Sequence, residues 1–224
     1  MDKIEPVSVI GGTGALGGGL AARLARARIP VIIGSRTEAR AQEAAAALVA
    51  ETGFADVRGL ENSAAAGAGQ ILIVAVPFAS QDETLRAIHR ATRGKIVVDT
   101  TVPLVPPKVA RVQLPAAGSA AAMAAAILGK EVRLVTAFHN VSAQKLRDGG
   151  PVSCDVLVFG DDVAARDTVI DLIGRLDMRG LHGGPLANSA AAEAMTSVLI
   201  SINRRYGVAE GAGLRITGLA DAGS

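Results

Sequence analysis

The sequence predicts an α/β protein: a doubly wound parallel sheet, followed by a smaller C-terminal part rich in helix. Three observations carry this. Short β-branched runs alternate with helix-forming segments from the start of the chain. Runs such as ILIVAV (71–76) are apolar at consecutive positions rather than at every second one, the pattern of strands covered on both faces. The first run also breaks at once into glycines that open an alanine-rich segment, as a strand-to-helix turn does in such folds.

Taken in order, VSVI (7–10) reads as the first strand and 15–27 as the first helix. VIIG (31–34), a helix over 37–50, ILIVAV (71–76), a helix over 80–92 and KIVVD (95–99) continue the βαβ rhythm. The pattern then loosens into TTVPLVPPKVARVQLP (100–115), whose closely spaced prolines exclude a long helix and predict a loop over the carboxyl ends of the strands. The tract 116–128 is mostly alanine, interrupted by Gly118 and Ser119. It falls short of the ~20 strongly apolar residues that span a bilayer and reads as a buried or docked helix. RLVTAF (133–138) and CDVLVFG (154–160) read as strands, about 163–176 and 188–205 as helices, and GLRIT (213–217) as a closing strand-like piece. No internal repeat is found. The boundary falls near Gly149-Gly150-Pro151, giving parts 1–150 and 151–224 with no flexible linker between them.

The chemistry concentrates at the first turn. Gly12-Thr13-Gly14-Ala15-Leu16-Gly17 matches GxGxxG after a strand and at the opening of a helix. Gly12 permits the tight turn, Gly14 lets the backbone approach a pyrophosphate, and Gly17 allows close helix–strand packing. The helix beginning at Ala15 and Leu16 presents its free N–H groups to the anion. A glycine turn alone suits any tight strand-to-helix connection, so the end of the second strand decides the matter. An NAD enzyme places an acid there, about twenty residues after the loop, against the ribose 2′-hydroxyl. Here the residues are Ser35, Arg36 and, four positions on, Arg40. Two guanidiniums and a hydroxyl converging on one site fit a 2′-phosphate, and Thr13 adds a second hydroxyl. The 1–150 part therefore reads as an NADP-binding Rossmann domain.

Composition excludes several classes. Lys and Arg number 23 against 21 Asp and Glu, with no basic block, so nucleic acid is not an expected partner. Four Phe, one Tyr and no Trp leave little for base or sugar stacking. Cys154 is the single cysteine and stands among apolar residues, which reads as a buried structural thiol. The three histidines, His89, His139 and His182, lie in unrelated contexts, and neither HExxH nor CxxC occurs, so no metal is expected. With no export signal and no membrane span, the expected location is cytoplasmic.

Taken together, GGTGALG, VIIGSRTEARAQEAA, AFHNVSA and LISINRRY resemble the coenzyme F-420-dependent NADP reductases, over most of the chain from Val7 to about Leu219. The resemblance implies direct hydride transfer between NADP(H) and the deazaflavin F-420, without any catalytic acid or base. It places Thr13, Ser35, Arg36 and Arg40 on the 2′-phosphate and the nicotinamide beside Ala75, Val76 and Pro77, where a cis or rigid proline turn would shape its floor. His139, with Asn140 and Val141, goes to the deazaflavin pocket, which 151–224 would complete. Two departures stand out: Phe78 replaces a frequent tryptophan, and 101–115 is unusually rich in proline. Two alternatives remain open at this level: an NADP-dependent reductase of an imine, ketone or ferric chelate, and a non-catalytic NADPH-binding redox sensor. Asn188 reads as a helix cap. A homodimer is expected, because the alanine stretches 116–126 and 190–194 allow close helix contact between subunits.

Overall fold

The computed structural model describes residues 5–219. Eight strands form one sheet: β1 (Val7–Ile10), β2 (Val31–Ser35), β3 (Val57–Glu61), β4 (Ile71–Val74), β5 (Ile96–Asp99), β6 (Arg133–Thr136), β7 (Asp155–Gly160) and β8 (Arg179–Gly184). Their order is β3-β2-β1-β4-β5-β6-β7-β8. All neighbours pair in parallel except β6 and β7, which meet antiparallel at Val135–Gly160 and Thr136–Phe159. The helices are α1 (Ala15–Arg26), α2 (Glu38–Thr52), α3 (Asn62–Ala68), α4 (Phe78–Ile88), α5 (Ala120–Leu128), α6 (Ala143–Asp148), α7 (Val163–Arg175) and α8 (Ser189–Tyr206).

The uninterrupted apolar runs exist because each strand feeds two cores. Val9, Ile33, Ile73 and Val98 pack on one face with Leu20 and Leu24 of α1. Ile10, Ile32, Leu72, Val74 and Val97 pack on the other with Leu85 and Ile88 of α4. Alternate residues of one strand point to opposite faces, so a strand covered twice must be apolar throughout. Chain order reverses between β1 and β4, which opens a crevice at their carboxyl ends.

Several elements differ from the sequence reading. The edge strands β3 (VRGLE) and β8 (RGLHGG) and the short helices α3 and α6 were not anticipated. An edge strand needs only one paired side and one covered face, so its composition stays polar and glycine-rich. In β3, Gly59 lies against the backbone of Ala41 and Gln42 in α2, where a Cβ would overlap. GLRIT (213–217) is not a strand. Leu214 accepts a hydrogen bond from the Asp155 N–H, but the Ile216 N–H donates to the Asp155 carboxylate rather than to a neighbouring strand. Of the cis or rigid turn expected at Pro77, the cis form is absent; the cis X–Pro bond among the described residues is Pro106–Pro107. β7 and β8, which lie beyond residue 150, pair into the same sheet as the strands before it.

Candidate functional site

At the β1–α1 turn, Gly11 has φ +75°, and a Cβ there would stand 2.7 Å from the Ala75 carbonyl oxygen. Only glycine fits so close to β4. Gly17 lies equally close to the turn it follows, since its Cβ would approach the Gly11 oxygen to 2.5 Å. Gly14 is different. It is exposed, and its Cβ would meet nothing nearer than the Gly11 oxygen at 3.3 Å, so its missing side chain leaves the outer surface of the turn bare. The first helical bond of α1 runs from Gly18 to Gly14, which leaves the N–H groups of Ala15, Leu16 and Gly17 without helical partners at that surface.

This turn forms one wall of a cavity of about 270 Å³. Thr13 and Gly14 share it with Ser35, Arg36 and Arg40 from the end of β2 and the start of α2, with Ala75, Val76 and Pro77 after β4, and with Ser80 and Thr84 of α4. The hydroxyls of Thr13 and Ser35 lie 3.5 Å apart. Arg36 and Arg40 are exposed, and among the described residues no carboxylate pairs with either. Two unpaired guanidiniums, two hydroxyls and a bare helix N-terminus around one cavity make a donor set for phosphate groups. The residues present therefore fit a phosphorylated dinucleotide. Of the predicted positions, Thr13, Gly14, Ser35, Arg36, Arg40, Val76 and Pro77 line this cavity, whereas Gly12, Ala15, Leu16 and Gly17 do not.

His139, Asn140 and Val141 lie elsewhere, just beyond the carboxyl end of β6. His139 is buried, and its Nε2 has no hydrogen-bond partner. Burial disfavours the imidazolium and lowers its pKa to about 4. The ring stands 6.2 Å from Phe159. Asn140 is engaged in structure: its Nδ2 donates to the Ala192 carbonyl and to Thr196 Oγ1, tying this loop to α8. Asn188 precedes α8 but makes no side-chain cap; its Nδ2 donates instead to the Gly183 carbonyl. Cys154 is half-buried rather than sealed in a core, beside Lys145 and Arg215 in a small cavity, and burial pushes its thiol up.

A buried polar layer, not signalled by any motif, joins these regions. Asp99 at the end of β5 accepts from Gln81 Nε2 at 2.5 Å and from Thr101 Oγ1 at 2.6 Å. Burial raises its pKa. Glu193 of α8 accepts from the N–H groups of Ala120 and Ala121 at 2.6 and 2.9 Å, capping α5 across the fold. Burial pushes its pKa up to about 7. Ser189 and Thr136 hydroxyls meet at 2.6 Å. In the sequence the usable signals were an acid ending an apolar strand and a lone acid in an alanine-rich helix. Among the described residues no cluster of His, Cys, Asp and Glu could hold a metal ion, and no helix is long and apolar enough to cross a membrane.

Comparison with known proteins agrees with this geometry. Residues 6–103 match the family model described as NADP oxidoreductase, coenzyme F-420-dependent. The F-420-dependent NADP reductase of Methanocaldococcus jannaschii is 40% identical over 222 residues, covering 95% of this chain and 98% of its own. That of Methanothermobacter marburgensis is 38% identical over 224 residues, covering 96% and 99%. Among solved structures, a chain from Arthrobacter sp. FB24 superposes with a TM-score of 0.79 at 23% identity, covering 96% of this chain and 99% of that one, which shows the same fold. With relatives this similar over nearly the whole length, and with the glycine turn and the arginine pair gathered at one crevice, the chain belongs to the F-420-dependent NADP reductase family.

Proposed function

We propose that this protein is an enzyme transferring a hydride between NADP(H) and coenzyme F-420. The observation that carries the reading is the single cavity joining the glycine turn, Ser35, Arg36 and Arg40 to Ala75-Val76-Pro77. When bound, NADPH supplies the hydride and the deazaflavin accepts it. The chain's own work is binding, orientation and exclusion of water. Thr13, Ser35, Arg36 and Arg40 hold the 2′-phosphate, and Gly12, Gly14 and the N–H groups of Ala15, Leu16 and Gly17 hold the pyrophosphate. Val76 and Pro77 border the nicotinamide. His139, with Asn140 and Val141, faces the second substrate. Its idle Nε2 supports this, because a buried neutral imidazole without a partner has a hydrogen bond left to give or accept. No side chain need exchange a proton with either ring for a hydride to pass between carbons.

We assign residues 1–150 to the NADP-binding part and 151–224 to the part completing the substrate cleft. We propose a cytoplasmic location, which a single cysteine without an internal partner fits. We further propose a homodimer formed through α8. Val198 (42% exposed), Ile202 (36%) and Tyr206 (76%) leave apolar surface on that helix, beside an apolar cavity of about 490 Å³ lined by Phe159, Ala191 and Met195. The earlier alanine stretch serves the chain's own core, since Ala120, Ala121 and Ala124 are fully buried in it.

The decisive experiment mixes the purified protein with NADPH deuterated at C4 and with F-420. Bleaching of the deazaflavin, with deuterium retained at its C5 and no washout, is expected, and Cys154→Ala keeps the activity. Absence of F-420 turnover with robust reduction of an imine or ketone overturns the reading.

A further inference from the structure

Asn62 stands where no sequence motif pointed. It is the first residue of α3, only 8% exposed, and it lines the same cavity as Ser35, Arg36 and Arg40. Its strand β3 neighbours β2, with Glu61 in register with Ser35, so Asn62 sits one strand outward from the arginine-bearing turn. The Asn62 Oδ1 is buried with no hydrogen-bond partner. Room for that carboxamide depends on Gly34, where a Cβ would lie 2.9 Å from Oδ1 and 3.1 Å from Ile10 Cδ1. A buried amide oxygen left idle is costly, and such a group calls for an account of its missing partner.

The chemistry of the ligand narrows the partner. A carboxamide offers one acceptor and one donor side by side, and adenine offers its N6 amino donor and N7 acceptor in the same spacing. Phosphate groups only accept, and Thr13, Ser35, Arg36 and Arg40 already supply donors for them. A ribose hydroxyl is a single atom and engages only one half of the amide. We propose that Asn62 reads the adenine ring of the dinucleotide, Oδ1 accepting from the N6 amino group and Nδ2 donating to N7, which makes it a specificity-determining residue for the base. The inference rests on the NADP reading of this cavity.

The test is calorimetric titration of the full chain with NADPH and with deamino-NADPH, whose N6 amino group is replaced by a carbonyl oxygen. That oxygen and N7 both accept, so rotating the carboxamide does not restore both bonds. The wild type is expected to bind NADPH about tenfold or more tightly than the deamino compound. Asn62→Ala and the similarly sized Asn62→Leu, each checked for folding by circular dichroism, are expected to bind the two within about twofold. Arg36→Ala weakens both alike and keeps the preference. A wild type without preference, or a variant at Asn62 that retains it, overturns the proposal while leaving the NADP reading intact. A wild type that binds neither compound overturns both.

Discussion

Gly14 and Gly17 stand three residues apart in one motif, yet the structure assigns them opposite burdens. A Cβ on Gly17 would stand 2.5 Å from the Gly11 oxygen and 3.0 Å from both Gly11 C and Gly12 Cα, all backbone atoms of the turn. Ordinary contact begins near 3.4 Å, so α1 or the turn must move by most of an ångström. Overpacking of that kind costs about 1–3 kcal/mol. In a chain of this size that lowers the melting temperature by roughly 2–4 °C per kcal/mol. A Cβ on Gly14 meets only the Gly11 oxygen, at 3.3 Å, and the residue has φ −81°, which any L-residue adopts. Gly14→Ala should therefore hold the stability of the free protein to within about 0.5 kcal/mol. It places a methyl group on the surface proposed to take the pyrophosphate, so NADPH affinity should fall at least about tenfold. Thermal melts with and without NADPH separate the two. Gly17→Ala melts early in both conditions, whereas Gly14→Ala melts normally when free and loses most of the shift produced by NADPH. Full NADPH affinity in Gly14→Ala would refute the placement of the pyrophosphate, and an unperturbed melt of Gly17→Ala would refute the close approach.

Arg36→Ala removes a charge-assisted bond worth about 1.5–3 kcal/mol, so NADP binding should weaken about 10- to 150-fold while NAD binding changes little; equal affinities of the wild type for the two cofactors would count against the 2′-phosphate site. His139→Ala should raise the KM for F-420 by about tenfold and leave that for NADPH nearly unchanged, because His139 lies after β6 and away from the glycine turn. An equal loss for both substrates would favour a packing role. Glu193 has a folded pKa of about 7 against an ordinary 4.5, so the folded state keeps a proton that the unfolded chain loses. That contribution is complete below the unfolded value and is lost as pH rises through about 7. His139, lowered to about 4 from 6.5, acts with the opposite sign at lower pH: its contribution is lost as pH falls through about 4. Above about pH 6.5 the carboxyl contribution stands apart from it, and Glu193→Gln should flatten the fall in melting temperature between about pH 6.5 and 8. Parallel profiles of the two proteins would exclude this assignment.

The sequence by itself determined whatever rests on local backbone chemistry. Gly12 and Gly17 declare a turn because a Cβ on either would meet backbone of residues only three to six positions before it. Arg36 and Arg40 are legible as a neighbouring pair because one follows a strand end and the other lies in the helical turn that begins there. VSVI, VIIG and ILIVAV are apolar throughout because both faces of a parallel sheet are covered, a condition each run records independently of its neighbours. Tertiary structure alone decided the rest. The edge strands β3 and β8 are set by what their neighbours leave unpaired, so their own residues carry little signal. Asn62 became a cavity residue only when β3 was laid beside β2. Glu193 meets Ala120 and Ala121 across more than seventy positions of chain. Its raised pKa comes from burial, which arises when distant segments close over a carboxyl group and remove its water.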